Sequence, residues 1–214
     1  MYDTYIFDLD GTLLDTLGDL ASSVNFALRH HGLPEHSVDN VRRFVGNGVH
    51  LLMERAVPGG MGNPLFEPAL QTFREHYLHH SLDTTRPYDG IPETLAALKG
   101  RGAGIAVVSN KFCTATEALC RHFFADTICV AIGENEAAGV RKKPAPDTVN
   151  EALRRMGADR VGAVYVGDSD VDILTARNAG LPCISVLWGF RDREFLERCG
   201  ATCFAMHPSE LLVL

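Results

Sequence analysis

Three short apolar runs, Tyr5-Ile6-Phe7, Gly104-Ile105-Ala106-Val107-Val108 and Val161-Gly162-Ala163-Val164-Tyr165-Val166, each stop at a cluster of polar residues. Continuous β-branched runs suit strands buried on both faces, as in a parallel sheet covered by helices. Ligand crevices of open α/β sheets lie at the carboxyl ends of the strands. Asp8-Leu9-Asp10-Gly11-Thr12, Ser109-Asn110-Lys111 and Gly167-Asp168-Ser169-Asp170-Val171-Asp172 are therefore expected along one edge. In an extended segment Asp8 and Asp10 face the same way and Leu9 points into the fold. Two acids on one side repel, and they persist when a cation neutralises them, when they share a proton, or when both lie in water. Taken alone, the first cluster reads as an Asp-Gly turn in solvent, and the other two clusters reverse that reading.

A chain of 214 residues with 46% hydrophobic content buries a full core, as one domain or as one domain carrying an insertion. No apolar stretch is long enough to cross a bilayer, and the first residues lack the basic and apolar regions of a signal peptide, so a cytoplasmic protein with no membrane partner is expected. The six cysteines form no Cys-x-x-Cys pair, which argues against disulfides and structural zinc. A net charge of −7 disfavours a nucleic-acid surface. A small anionic substrate remains compatible if a metal recruits it. Oligomeric state is left at a monomer or homodimer.

Residues from about 17 to 82 read as successive helices without a strand. Leu20, Val24, Ala27 and Leu28 recur at helical spacing, as do Leu51, Leu52, Arg55-Ala56 and Val57, and then Ala69, Phe73, Tyr77 and Leu78. The loop from Pro58 to Pro64 breaks the helical pattern. From Ile91 helices and strands alternate again, near 92–99, before Ser109, 114–123, 128–132, 147–156, before Asp168, through Ala179 and at 183–187. The expected architecture is a doubly wound, mainly parallel α/β sheet with an inserted small α-helical domain. Residues 1–15 and 84–214 form the core, and residues 16–83 form the helical insertion.

Asp8-Leu9-Asp10-Gly11-Thr12-Leu13, Ser109-Asn110, Lys143-Pro144 and Gly167-Asp168-Ser169-Asp170-Val171-Asp172 stand in the order and approximate spacing of the signature motifs of the haloacid dehalogenase superfamily, which the chain resembles over essentially its whole length. Within that superfamily it looks most like the phosphoglycolate phosphatase group, through Val41-Arg42-Arg43-Phe44-Val45-Gly46-Asn47-Gly48 and Arg141-Lys142-Lys143-Pro144-Ala145-Pro146-Asp147.

Phosphate monoesters resist attack because their oxygens are negative, so a catalyst must neutralise them and align a nucleophile in line with the leaving group. Asp8 is assigned as the nucleophile that forms an aspartyl-phosphate. Asp10 protonates the departing alkoxide and then deprotonates the hydrolytic water. Crowded carboxylates with no Cys or His pair suit Mg²⁺. The resemblance implies Asp8, the backbone carbonyl of Asp10 and Asp168 as ligands. Asp172, four residues beyond Asp168, is expected to contact a metal-bound water or to orient Lys143. Helix capping competes as an account of these acids and is kept for Asp170 only.

Gly11, Ser109 and Asn110 are the candidate phosphate cradle, with Lys111 beside them, although a plain Ser-Asn turn competes. Lys143 supplies positive charge, and Pro144 biases it toward extended backbone. The residues alone do not choose between Lys142 and Lys143; the resemblance selects Lys143. The helical insertion is expected to act as a cap that excludes water, hinged at Asp15-Thr16 and from Ser81 to Pro87. Arg43 and Asn47 are candidate contacts to a substrate carboxylate, with Arg42 an equal contender. His30-His31 and His79-His80 are read as surface residues, and Trp188 as a packing residue.

The expected activity is Mg²⁺-dependent hydrolysis of a small-metabolite phosphate monoester, with 2-phosphoglycolate favoured. Pyrophosphatase and β-phosphoglucomutase-like sugar phosphomutase activities compete within the enzyme class. A phospho-acceptor signalling module competes from outside it.

Overall fold

The computed structural model describes residues 2–135 and 139–214. The chain divides into two compact units: Met1–Leu14 with Pro87–Leu214, and Asp15–Arg86. The longer unit holds a six-stranded sheet of β1 (Thr4–Phe7), β4 (Gly104–Phe112), β5 (Val130–Glu134), β6 (Ala163–Gly167), β7 (Cys183–Val186) and β8 (Phe204–Ala205). Its spatial order is β5-β4-β1-β6-β7-β8 and every pairing is parallel. The remaining two strands, β2 (Leu14–Asp15) and β3 (Arg86–Pro87), pair where the chain passes between the units.

Strand alternation explains how both sheet faces become dry. Tyr5 and Phe7 of β1, Ile105 and Val107 of β4, and Val164 and Val166 of β6 share one face with α5 (Ile91–Gly100) and α6 (Cys113–Phe124). Ile6, Ala106, Val108 and Tyr165 share the other with α7 (Asp147–Met156) and α8 (Asp170–Ala179). The central strand β1 is flanked by β4 and β6, so the strand order reverses at β1, the topological position at which open α/β sheets bind ligands. A last helix, α9 (Arg193–Arg198), is capped by the Asp192 carboxylate accepting from Phe195 N.

The shorter unit comprises α1 (Leu17–His30), α2 (Val38–Phe44), α3 (Val49–Ala56) and α4 (Phe66–His80). Leu20, Val24, Ala27 and Leu28 of α1 are buried, as are Ala69, Phe73 and Tyr77 of α4. Leu78, counted with them from its spacing, is instead exposed at 64%. Among the described residues no helix is long and apolar enough to cross a membrane.

Three local expectations are corrected. The strand expected to stop before Ser109 runs on through Ser109-Asn110-Lys111 to Phe112, with a register shift between Val108 and Phe112 where pairing resumes opposite Glu134. Residue composition does not reveal such an irregularity, because it depends on the neighbouring strand. The short strand β8 was not anticipated, since two residues carry no periodic signal. At the start of α8, Asp170 lies in the first turn as expected of an acid at the positive helix end, but it does not act alone: Ser169 is the N-cap, and Asp172 closes a reciprocal capping box with it.

Candidate active site

The acids and lysines of the longer unit converge at the carboxyl ends of β1, β4 and β6. Asp8 follows β1, is 7% exposed, and accepts from Lys143 Nζ at 2.6 Å through Oδ1. The same ammonium donates to Asp172 Oδ1 at 2.8 Å and reaches the Tyr165 hydroxyl at 3.1 Å. The Tyr165 hydroxyl donates to Asp172 Oδ1 at 2.9 Å. The other oxygen of Asp172 accepts from Ser169 N at 3.1 Å and Ser169 Oγ at 2.6 Å. Of the two roles open to Asp172, orienting Lys143 is the one whose contacts are in place.

Asp168 is almost wholly buried. Its Oδ2 accepts from Phe190 N at 2.7 Å, and its Oδ1 from the Thr12 hydroxyl at 3.4 Å. Gly11 explains how it fits there. With φ at +88° and a Cβ that would stand 2.5 Å from Asp168 Oδ2, this position admits only glycine. Thr12 is held in turn by Trp188, whose ring N–H donates to the Thr12 carbonyl at 2.9 Å.

β1 ends at Phe7, so strand alternation does not govern Asp10. Its carboxylate meets a different lysine, with Lys111 Nζ 2.9 Å from both oxygens. Ser109 and Asn110, which precede Lys111 in β4, are buried. The Asn110 amide spans to the main chain of Lys143, donating to its carbonyl at 3.1 Å and accepting from its N–H at 2.8 Å. That clamp holds the backbone of Lys143, and the Lys143-Pro144 peptide is cis. Lys142, left equal to it by sequence, is not buried, whereas Lys143 is 3% exposed.

The electrostatics are those of a site short of positive charge. Burial, and then the Asp172 carboxylate, push the Asp8 carboxyl well above the ordinary range despite Lys143. Burial and Asp172 likewise push Asp168 up to about 7. For Lys143 burial opposes the charge, but Asp172 and Asp8 outweigh it and hold the ammonium above the usual lysine value. Burial, then Asp172 and Asp8, keep the Tyr165 hydroxyl protonated.

Asp8, Asp10, Asp168 and Asp172 bring four carboxylates together, met by the ammonium groups of Lys111 and Lys143 and, at Asp168, by the charge of Arg191. A divalent ion is suited to neutralise acids crowded in this way. Ligand oxygens of Asp8, Asp168 and Asp172 lie within 4.8 Å of one another. Oxygens across an octahedral Mg²⁺ stand about 4.2 Å apart, so small side-chain movements bring this all-oxygen set into range. The donor chemistry fits the ion.

The sequence reading missed Tyr165, Lys111 as the partner of Asp10, and Thr12. The one available signal for Tyr165 was a phenol inside an otherwise aliphatic run, where a buried hydroxyl needs a partner. Arg43 and Asn47 belong to the shorter unit: Arg43 is exposed on the last turn of α2, and Asn47 is half-buried between Gly46 and Gly48.

Residues 5–186 match the family model described as haloacid dehalogenase-like hydrolase. The chain is 36% identical to the phosphoglycolate phosphatase of Aquifex aeolicus (strain VF5) over 185 residues, covering 86% of this chain and 84% of that one. It is 32% identical to the N-acetylmuramic acid 6-phosphate phosphatase of Pseudomonas aeruginosa, covering 97% and 92%. A crystal structure from Lactobacillus delbrueckii subsp. bulgaricus, assigned as a phosphoglycolate phosphatase, superposes with a TM-score of 0.93 at 34% identity, covering 98% of this chain and 96% of that one. With its acids gathered at one sheet edge and this likeness along its length, the chain belongs to the haloacid dehalogenase-like hydrolases and is similar to their phosphoglycolate phosphatases.

Proposed function

We propose that this phosphatase hydrolyses a small phosphate monoester through an aspartyl-phosphate on Asp8, with Mg²⁺ as cofactor and 2-phosphoglycolate as preferred substrate. The observation that carries the reading is a buried carboxylate, Asp8, 2.6 Å from a buried ammonium and packed among two further acids. A carboxylate kept at such electrostatic cost, in a site with anion-neutralising groups around it, suits a nucleophile.

In the first half-reaction an Asp8 oxygen bonds to phosphorus while the ester P–O bond breaks, and Asp10 gives its proton to the departing alkoxide. In the second, Asp10 takes a proton from water as that water bonds to phosphorus and the acyl-phosphate bond breaks, which returns Asp8 and releases phosphate. Lys143 spreads the phosphoryl charge, held for this by Asp172, Tyr165 and the Asn110 clamp. Ser109, a buried residue of β4, offers its hydroxyl to a phosphoryl oxygen. Asp8, Asp168 and the Asp10 carbonyl would hold Mg²⁺, which supplies charge neutralisation between nucleophile and phosphate.

Both substrates named for the relatives join a phosphate ester to an organic acid, which favours a carboxylate-bearing monoester and makes N-acetylmuramic acid 6-phosphate the second reading. We assign the leaving-group contacts to residues 16–83, with Arg43 and Asn47 as the carboxylate-binding pair. The test is phosphate release with Mg²⁺ from 2-phosphoglycolate, N-acetylmuramic acid 6-phosphate, sugar phosphates lacking a carboxylate, and pyrophosphate. The expected result is highest kcat/KM on 2-phosphoglycolate, with Arg43→Ala raising KM for it roughly tenfold, the loss of one charged hydrogen bond, while sugar phosphates are unaffected. Preference for pyrophosphate, or isomerisation of a sugar phosphate without release, would overturn the substrate assignment.

A further inference from the structure

We propose that Lys111 is a positioning residue: its ammonium fixes the Asp10 carboxylate so that it accepts the proton of the water that hydrolyses the phosphoenzyme. The inference rests on the aspartyl-phosphate reading above.

Three observations carry it. First, Lys111 is a buried lysine, its side chain only 2% exposed, and its ammonium lies 2.9 Å from both oxygens of Asp10. A buried ammonium is costly unless its geometry is good, and two-oxygen contact fixes the plane of a carboxylate as well as its distance. Second, Asp10 has little else to orient it. Its backbone is set by the turn in which Gly11 N donates to the Leu14 carbonyl at 2.9 Å, but among the described residues the hydrogen bonds to its carboxylate both come from Lys111. A short acid beyond the end of a strand otherwise samples several staggered rotamers. Third, Lys111 is itself anchored at both backbone ends. Its N–H donates to Ser109 Oγ at 3.2 Å, and its carbonyl accepts from Thr116 Oγ1 at 3.4 Å. The register shift between Val108 and Phe112 lies at this residue and lets the strand carry it toward Asp10.

Lys143 is placed differently, against Asp8 and Asp172, where the phosphoryl group is transferred. One lysine therefore serves the nucleophile and the other the proton acceptor. Losing Lys111 is expected to slow the step that depends on Asp10 as base while sparing attack by Asp8 on an ester whose leaving group needs no proton.

p-Nitrophenyl phosphate isolates that step, because nitrophenolate departs without an acid. In rapid-quench experiments with Mg²⁺, Lys111→Met is expected to give a nitrophenol burst approaching one per site, followed by slow turnover. Acid-stable phosphoprotein should persist roughly tenfold longer than in the wild type, a fraction of the usual loss on removing a general base. Lys111→Arg, which keeps donors for the same two oxygens, should recover part of the lost rate. In an Asp10→Asn background, adding Lys111→Met should slow hydrolysis no further, as for two residues acting in one unit. A Lys111→Met protein that folds but shows no burst and no added phosphoprotein overturns the proposal. So does full additivity with Asp10→Asn, a comparison that stands even if Lys111→Met is less stable. If the wild type itself forms no phosphoprotein and releases no phosphate, the Asp8 reading falls first and this inference with it.

Discussion

Each unit buries carboxylates, and it treats them in opposite ways. In the helical unit Asp19 is 1% exposed, and its two oxygens accept from the backbone N–H and hydroxyl groups of both Thr84 and Thr85, at 2.6–3.1 Å. The donors are neutral, close and sufficient, so the charge is solvated by the protein and ties the start of α1 to the chain leaving α4. In the sheet unit Asp168 is as deeply buried and Asp8 is also buried, but they face Asp172, and burial with that neighbour pushes both carboxyls upward. A buried acid whose oxygens are filled by neutral donors is a structural tie, whereas one set against other acids invites a cation and a substrate.

The largest effect that would break this contrast is on turnover. Asp8→Asn should lower kcat by at least roughly a thousandfold, as nucleophile removal does. It should also leave the thermal midpoint unchanged or raised, since a crowded charge is removed. A sharp loss of stability in that variant would place Asp8 with Asp19 as a structural acid.

The converse holds for Asp19→Ala. It strands four donors and should cost about 2–4 kcal/mol of stability, in the range for breaking a buried hydrogen-bond network. The kcat measured well below the melting range should change little. Equal stability with lost activity would sink the assignment.

The smallest and sharpest test is pH. The Asp168 carboxyl is raised from 3.8 to about 7 by burial and Asp172, so the folded state binds this proton more tightly than the unfolded one. Its contribution is then greatest below pH 4 and is lost as pH rises from about 4 to about 7 in metal-free protein. Mg²⁺ competes with that proton, so the stabilisation seen on adding Mg²⁺ in thermal unfolding should grow across the same window and level off above it. A Mg²⁺ shift that does not vary between pH 5 and 8 would show that the ion does not bind these carboxylates.

Much of the sheet unit was legible in the residues. The helices 147–156 and through Ala179 end where their periodicity and glycines end them, at Gly157 and Gly180. The apolar runs before Asp8 and Asp168 are strands, although Val161 at the head of the last run is 92% exposed and lies outside β6. Less legible were residues whose roles depend on a partner far along the chain. Tyr165 looked like one more core residue because its hydroxyl partners, Lys143 and Asp172, come from other elements. Asn110 was read only for its place in the phosphate cradle, and its side-chain amide has a second task, bracketing the backbone of Lys143, that its own neighbours in sequence do not announce. Asp19 lies in the first turn of α1, and the donors to its carboxylate come from the return of the chain at Thr84 and Thr85, more than sixty residues on.

What the amino-acid order determined by itself is the α/β class, the helical insertion between β1 and β4, and the identity of the acids at the strand ends, because apolar periodicity and the polar residues that interrupt it act over a few residues. Which lysine neutralises which acid was decided only by the tertiary structure. Lys143 reaches Asp8 across 135 positions and Lys111 reaches Asp10 across 101. Coulomb attraction at under 3 Å depends on where the parallel sheet lays those segments side by side, and nothing local to any one of them records it.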